Sequence, residues 1–244
     1  MLEYSGSECL ALLIVLGGSL VQGLLGIGFG LLAAPLLYLL DPSYVPGPIL
    51  LLGFLLACCM LLGNQQALAW RRPMPAILAR LPGAWFGGLL LGLLPGAWLG
   101  LLLGVCVLLA TVTSYRWLEI RCNPRNLAFA GFCSGLMGTA TSVGGPPMVL
   151  VYQTCERLST RDELATFFLL TTPVSLLVLS YQDLLPADYL STSCKLAPAV
   201  LAGYGIARCL DNSIDQHSPR QLMLLLSLVA SCWLLVSNLW QLLS

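Results

Sequence analysis

The stretch 131–152, GFCSGLMGTATSVGGPPMVLVY, constrains the fold more than any other part of the chain. It lies in a strongly apolar region, yet it is rich in Gly and small hydroxyl residues and contains Pro146 and Pro147. Gly weakens a helix by about 1 kcal/mol per residue, and Pro interrupts the hydrogen-bond ladder. We therefore predict a helix break at membrane depth. Because backbone groups freed in lipid are tolerated only inside protein or against a polar cavity, the break implies a cavity.

The same pattern occurs near the start of the chain, in VQGLLGIGFGLLAAPLLYLL at residues 21–40. Each copy has two Gly three positions apart and a Pro nine positions further on, and a shift of 112 relates the copies. Such pairs of interrupted apolar segments point to the binding site of a transporter. The alternative is close helix packing through Gly. The matching residues are Gly23, Gly26 and Pro35 in the first copy and Gly135, Gly138 and Pro147 in the second.

The composition indicates an integral membrane protein. Charged residues make up 9% of the chain and hydrophobic residues 58%, and mean hydropathy is +0.87. The net charge is zero and the basic residues are dispersed, which does not suit a nucleic-acid partner. The 10 cysteines are scattered without a CxxC motif, so we predict no disulfide framework, no metal and no cofactor. The first apolar run lacks a basic start, and we expect it to stay in the mature protein.

The apolar runs of spanning length divide into two similar halves, each with one broken segment followed by three ordinary spans. A further match, at a shift of 116, relates Pro82 and Gly87 to Pro198 and Gly203. We expect an all-α membrane protein with a single transporter domain over 1–244, repeat 1 at about 8–118 and repeat 2 at about 127–243. The runs are 9–40, 46–63, 76–94, 97–118, 127–153, 164–182, 194–210 and 221–243.

The basic residues favour one topology over another. If every run crosses once, the repeats are parallel and Lys and Arg divide seven to four between the two faces, with Arg80 counted as a link residue. If each broken segment is a re-entrant hairpin, the repeats are inverted. Then ten of the 11 basic residues share a face, and Lys195 alone lies opposite. The positive-inside rule favours inverted repeats with both termini outside, and eight simple crossings are the alternative.

The second break offers hydroxyl groups, and bare amides that precede a new helix near Pro146. A helix N-terminus with free amides binds anions, so two such ends at one midplane point favour a small anion over a cation. Alternatively, the hydroxyls bond carbonyls of their own helices. The candidate substrate-binding residues are Gly26, Gly28, Gly30, Gly138, Thr139, Thr141, Ser142, Gly144, Gly145, Thr171 and Thr172, and the candidate helix breaks are Pro35, Pro146 and Pro147.

An enzyme is not expected, because the chain has no HExxH or GxSxG motif and no base near Ser142 in sequence. No acidic residue lies at the centre of an apolar run, and we interpret Arg161, Asp162 and Glu163 as the solvated start of a helix. We expect a secondary transporter whose halves rock around a midplane site. A non-transporting membrane scaffold or assembly subunit is the alternative, which the repeated break disfavours.

At these motifs the chain resembles the TauE/SafE family of sulfite exporters. Members are similar in having two related halves that each open with a Gly-rich motif ending in Pro. Here the motifs are GLLGIGFG at 23–30 with Pro35, and GLMG at 135–138 with GGPP at 144–147. The stretches RLPGAWFGGLLLG and RDELATFFLLTTP also resemble family segments. The chain departs from the pattern at Phe29, where Gly is common, and at 139–142, where TATS replaces a Gly-Ile-Gly run.

The resemblance implies transport of a small sulfur-containing anion, such as sulfite, thiosulfate or an organosulfonate. It also implies a multi-pass protein of the bacterial inner membrane, with protons as a coupling ion. The partners that follow are the anionic substrate and the lipid bilayer, and a homo-oligomer is left open.

The inverted arrangement makes a prediction about the C-terminus. Alkaline phosphatase fused after Ser244 should be active in intact cells, because that end then lies outside the membrane. Green fluorescent protein at the same position should stay dark. A fluorescent fusion together with an inactive phosphatase fusion would contradict inverted repeats and favour eight simple crossings.

Overall fold

The structure is a computed structural model that describes residues 6–64, 69–94, 96–113, 120–152, 160–210 and 217–243. Within these residues the chain forms ten α-helices and a 3₁₀ turn, Pro42–Tyr44, and no strand, which confirms the expected all-α class. The helices are α1 Gly6–Leu25, α2 Phe29–Leu40, α3 Gly47–Asn64, α4 Met74–Leu93, α5 Gly96–Thr113, α6 Pro124–Thr141, α7 Gly145–Tyr152, α8 Thr160–Tyr181, α9 Tyr189–Leu210 and α10 His217–Leu243.

The chain breaks at both predicted places, between α1 and α2 and between α6 and α7. In the first break Gly26 and Gly28 have φ of 82° and 124°, in the region that favours Gly. In the second break Ser142 takes a left-handed conformation with φ of 63°, and its N–H donates to the carbonyl of Gly138. Ser142 therefore ends α6 in the way a C-terminal cap does.

Each broken segment is a hairpin. Gly18 of α1 packs against Phe29 and Ala33 of α2, so α2 runs back along α1. Ala130 of α6 lies in one apolar cluster with Val151 of α7, so α7 runs back along α6. In both hairpins the second helix is shorter than the first.

Pro35 does not interrupt the helix in the way expected from its motif. It lies inside α2, which continues through it to Leu40. The break comes earlier, where Gly26 and Gly28 take positive φ values, because those conformations turn the chain and a Pro in mid-helix only removes one hydrogen bond. Pro146 and Pro147, in contrast, lie in the first turn of α7, where a missing N–H costs little.

Among the described residues, four helical stretches are long and apolar enough to cross a membrane: α1, α4, α8 and Arg220–Leu242 of α10. A bilayer core of about 30 Å requires about 20 helical residues. Shorter apolar helices occur at α2, Gly47–Gly63 and Gly96–Val112. Trp233 and Trp240 of α10 are 65% and 75% exposed among other exposed leucines and valines. An apolar outer face of this kind suits contact with lipid.

The most extensive helix packing joins helices that are not consecutive in sequence. α1 packs along α9, and α6 packs along α4. Glycines bring these backbones close: Gly131 of α6 lies on Ala76 of α4, and Gly203 of α9 lies on Leu16 of α1. Small residues of this kind are typical of helix contacts in membranes.

Two pairs of packed helices, α5 with α10 and α3 with α8, are antiparallel. Gly100 near the start of α5 packs on Asn238 near the end of α10, and Gly104 packs on Leu235. Leu50 near the start of α3 packs with Leu179 near the end of α8. These pairings bring the beginning of one helix to the end of its counterpart.

Close packing of α6 on α4 predicts that Gly131→Ala lowers stability. A Cβ at this position would overlap the backbone of Ala76, and overpacking of this kind costs about 1–3 kcal/mol. Thermal unfolding of the purified protein in detergent should show a lower midpoint. Gly17→Ala is the matched control, because a Cβ there meets nothing within 4 Å and Ala favours a helix. Equal midpoints for the two variants would contradict the packing.

Candidate functional site

The two helix breaks lie against each other. Gly30 in the first turn of α2 touches the backbone of Ser142, and a Cβ on Gly30 would lie 2.5 Å from the Ser142 carbonyl oxygen. The Ser142 hydroxyl donates to the carbonyl of Pro46 at 2.9 Å. The tip of the second hairpin therefore contacts both the first hairpin and the segment before α3.

A cavity opens beside this contact, and about 70 Å³ of it can be reached by the centre of a water molecule. One water needs about 10–15 Å³ by that measure, so the cavity has room for several waters or a small anion. It is bounded by both hairpins and by α3, α4 and α8. The lining residues are Gln22, Ile27, Gly28, Phe29, Gly30, Leu31, Ile49, Leu50, Gly53, Arg80, Gly138, Ser142, Gly144, Gly145, Pro146, Val149, Phe168 and Thr172.

Arg80 of α4 brings a positive charge to this cavity, although it is only 2% exposed. Its guanidinium carbon lies 5.1 Å from the ring centre of Phe167 and 5.4 Å from that of Phe168. Across the residues that the structure describes, no carboxylate pairs with it, and its buried Nε has no hydrogen-bond partner. A buried charge is costly unless an opposite charge and hydrogen bonds compensate it. The missing counter-charge is what a bound anion would supply.

Ser134 of α6 connects Arg80 to the second break. Its hydroxyl accepts a hydrogen bond from Nη1 of Arg80 at 2.9 Å and donates to the carbonyl of Gly144 at 2.5 Å. Gly138 lies between the same groups, close to both Gly144 and the Arg80 guanidinium. The position of the cation is therefore tied to the shape of the second hairpin tip.

The N-terminus of α2 is already capped from within the chain. The Phe29 N–H donates to Oε1 of Gln22 at 3.0 Å. At α7 the first turn contains Pro146 and Pro147, which have no N–H. Moreover, the negative C-terminal end of α1 or α6 faces the same break as the positive end of the helix that follows. The helix ends thus contribute little net charge, and Arg80 is the main positive group.

Comparison with known families agrees with this architecture. The family model described as sulfite exporter TauE/SafE matches residues 10–234. The chain belongs to the TauE/SafE family. The resemblance seen in the two Gly/Pro motifs is thereby confirmed, and the protein is a multi-pass membrane transporter of the sulfite-exporter type. Searches of curated proteins and of solved structures find no match.

The residues expected at the substrate site of this TauE/SafE protein divide into two groups. Those of the first group line the cavity, from both hairpin tips and from α8. They share either an absent side chain or a short hydroxyl, which leaves room next to Arg80. This group comprises Gly28, Gly30, Gly138, Ser142, Gly144, Gly145 and Thr172, together with Pro146 among the expected helix breaks.

The second group has other contacts. Gly26 packs against the side chain of Arg161, and the Thr139 hydroxyl donates to the Ser175 hydroxyl at 2.9 Å. Thr141 and Thr171 donate to carbonyls four residues earlier, those of Met137 and Phe167, at 2.8 and 2.6 Å. This bond to the same helix is the local alternative open to any helical Thr.

Arg80 was absent from the sequence-based candidates because its place near the start of a run is typical of a charge that flanks a membrane span. The signal that identifies it is helical spacing. Ala76, Arg80, Ala84 and Gly87 fall on one face of α4 and are all buried. An Arg within a stripe of small residues faces protein and not lipid or water.

The start of α8 corrects a second expectation, because it is not solvated. Asp162 and Glu163 are 7% and 5% exposed, and Glu163 pairs with Arg72 at 3.5 Å. An Nη2 hydrogen of Arg161 is donated to the carbonyl of Gly23, near the end of α1. Arg161 therefore secures the first hairpin tip to α8, and Glu163 ties the start of α8 to the segment before α4.

The cysteines differ from the expectation at one position. Cys122, just before α6, is disulfide-bonded. Eight others are free: Cys9, Cys58, Cys59, Cys106, Cys133, Cys194, Cys209 and Cys232. The spacing of the cysteines, which lacks a CxxC motif, had indicated no disulfide framework.

The contacts of Ser134 predict that Ser134→Ala weakens substrate binding, since Arg80 then loses the group that orients it. A hydrogen bond to a charged group contributes about 1.5–3 kcal/mol, so the sulfite concentration for half-maximal uptake should rise by about tenfold or more. Uptake into proteoliposomes measures it. Ser231→Ala is the control, because that buried hydroxyl bonds only within α10, to Leu228. Equal values for both variants would remove Ser134 from the site.

Proposed function

We propose that this protein carries a small sulfur-containing anion, such as sulfite, thiosulfate or an organosulfonate, across the membrane. The anion binds in the cavity between the two hairpins, beside Arg80. Family membership supports the class of substrate, and the cavity supports the location of the site. No acidic group is among the residues that line the cavity, which suits an anion and not a cation.

The observation that carries the proposal is the buried Arg80 without a carboxylate partner. In a low-dielectric interior a lone guanidinium is unfavourable until an anion reaches it. Its Nη1 donates a hydrogen bond to Ser134 and its planar face packs against two phenyl rings. Its Nε has no partner and is therefore available to bind a ligand. Planar guanidinium groups bind oxyanions through parallel hydrogen bonds, which fits an oxygen-rich sulfur anion.

The proposal includes inverted repeats, each made of a hairpin followed by three helices, over about 8–118 and 127–243. Two observations support the inversion: α5 and α10 are antiparallel, and the start of α3 packs at the end of α8. Equivalent helices of parallel repeats would run in the same direction. The ion pair of Lys195 with Glu8, at 2.7 Å, further brings the start of α9 to the start of α1.

The site then lies between two oppositely oriented hairpins, as in transporters that expose one midplane site to each side in turn. The proposal also includes the bacterial inner membrane, termini on the outside and protons as coupling ion. The distribution of Lys and Arg in the sequence supports the orientation, because with inverted repeats every Arg outside the cavity is expected at the face opposite Lys195.

The central role of Arg80 predicts that Arg80→Gln abolishes transport of labelled sulfite or thiosulfate into proteoliposomes containing only this protein. The loss should be about a hundredfold or more, because the anion would be desolvated without a counter-charge. Arg80→Lys should retain part of the rate, since the charge stays while the planar fork is lost. Folding should not suffer in Arg80→Gln, because no carboxylate of the described residues loses a counter-charge and the Ser134 hydroxyl keeps its hydrogen bond to Gly144. Its thermal midpoint in detergent checks this.

Arg125→Gln is the matched control, because Arg125 is an exposed arginine at the start of α6. It should transport at the wild-type rate. If folded Arg80→Gln transports as fast as this control, Arg80 is not the anion site. If the wild-type protein alone moves no sulfur anion, the alternative of a scaffold or assembly subunit gains support.

A further inference from the structure

We propose that the cavity selects anions with a single negative charge over doubly charged anions of the same size. The inference rests on the proposed function, and it specifies the substrate class at the same site: hydrogensulfite and organosulfonates, which carry one negative charge, over thiosulfate, which carries two. It follows from three features of the cavity: its single full charge, the cancelling partial charges of the helix ends beside it, and its apolar walls.

The cavity carries one full charge. Among the described residues that line it, Arg80 is the only ionisable one. Ser134, which holds the guanidinium, is neutral, and the two rings over it belong to Phe167 and Phe168. A singly charged anion beside Arg80 therefore makes a neutral pair, whereas a doubly charged anion leaves a net charge of about −1 in the interior.

The helix ends do not supply the missing second charge. At each break the C-terminus of one helix and the N-terminus of the next lie together, so their partial charges of about −0.5 and +0.5 oppose each other. The first free amide of α2, that of Phe29, is taken by Gln22. In α7 two of the first-turn positions are Pro146 and Pro147 and cannot donate.

The apolar walls of the cavity make binding of a strongly hydrated ligand unfavourable. Phe29, Ile49, Leu50, Val149 and Phe168 all line the cavity and offer no hydrogen bonds from their side chains. The polar side chains are few, and the Ser142 hydroxyl is already donated to Pro46. A doubly charged anion loses more hydration free energy on entry than a singly charged one, and this cavity has few polar side chains to replace the lost hydrogen bonds.

The test compares three competitors of labelled sulfite uptake in wild-type proteoliposomes. Sulfate is doubly charged, whereas sulfamate and methanesulfonate are singly charged, and all three have a tetrahedral sulfur and similar size. Sulfamate replaces one sulfate oxygen by a polar amino group, and methanesulfonate replaces it by a methyl group. Both singly charged anions should halve uptake at concentrations at least about tenfold lower than sulfate does.

Each result leads to a definite conclusion. If sulfate competes as well as sulfamate while sulfite uptake depends on Arg80, charge selection is wrong and the proposed function stands. If only methanesulfonate competes, the apolar walls select the ligand and charge does not, which also overturns the inference. If labelled thiosulfate alone enters in an Arg80-dependent way, charge selection is wrong and the proposed function stands. If labelled sulfite, thiosulfate and methanesulfonate all fail to enter in an Arg80-dependent way, the proposed function fails and this inference fails with it.

Thr172→Lys tests the same idea by adding a second cation to the cavity wall. The potency of sulfate relative to sulfamate should increase by about tenfold, because a doubly charged anion then finds two counter-charges. Thr172→Met is the control of similar length without charge, and the ratio should stay at its wild-type value. An unchanged ratio in folded, transporting Thr172→Lys would overturn charge selection.

Discussion

A backbone that leaves helical geometry inside a membrane must bury its free polar groups in protein, and the structure of this chain depends on that requirement. The two breaks meet it together, because Gly30 of one hairpin lies against the carbonyl of Ser142 in the other. The absence of a side chain at Gly30 makes this approach possible. The remaining gap is the cavity. A site between the hairpins is thus a geometric result of covering two breaks with each other.

Within that gap the guanidinium of Arg80 dominates the electrostatics. In each hairpin the negative C-terminal end of the first helix and the positive N-terminal end of the second lie at the same tip. The helix dipoles therefore add little net charge to the gap. Ser134 links the cation to the carbonyl of Gly144 and makes its position sensitive to the second tip. If an anion binds at Arg80 as proposed, this linkage would let it influence the second hairpin, because a shift of the guanidinium would change the hydrogen bond between Ser134 and Gly144.

The two breaks could be predicted from sequence because Gly and Pro act on local backbone geometry, which periodicity and composition record directly. Pro35 shows the limit of that approach, since the turn is made by glycines with positive φ several residues earlier. The hydroxyls of Thr141 and Thr171 show another limit, because a helical Thr bonds to its own helix unless packing prevents it. Arg80 depends on tertiary contacts with α6 and α8, and a sequence reports those only through the spacing of small residues around it.

The packing of α1 on α9 and of α6 on α4 has a consequence for how the molecule could change shape. α1 is joined to α9 and α6 to α4 through closely packed glycines, so each of these pairs is better suited to move as one body than either repeat is. Rocking of two intact halves, as expected from the duplicated sequence, would have to pull these backbones apart. Movement of α1 with α9 against α6 with α4 would preserve them. With the repeats proposed above, each moving body would then contain one helix from each repeat, and the units of motion would differ from the units that repeat in sequence.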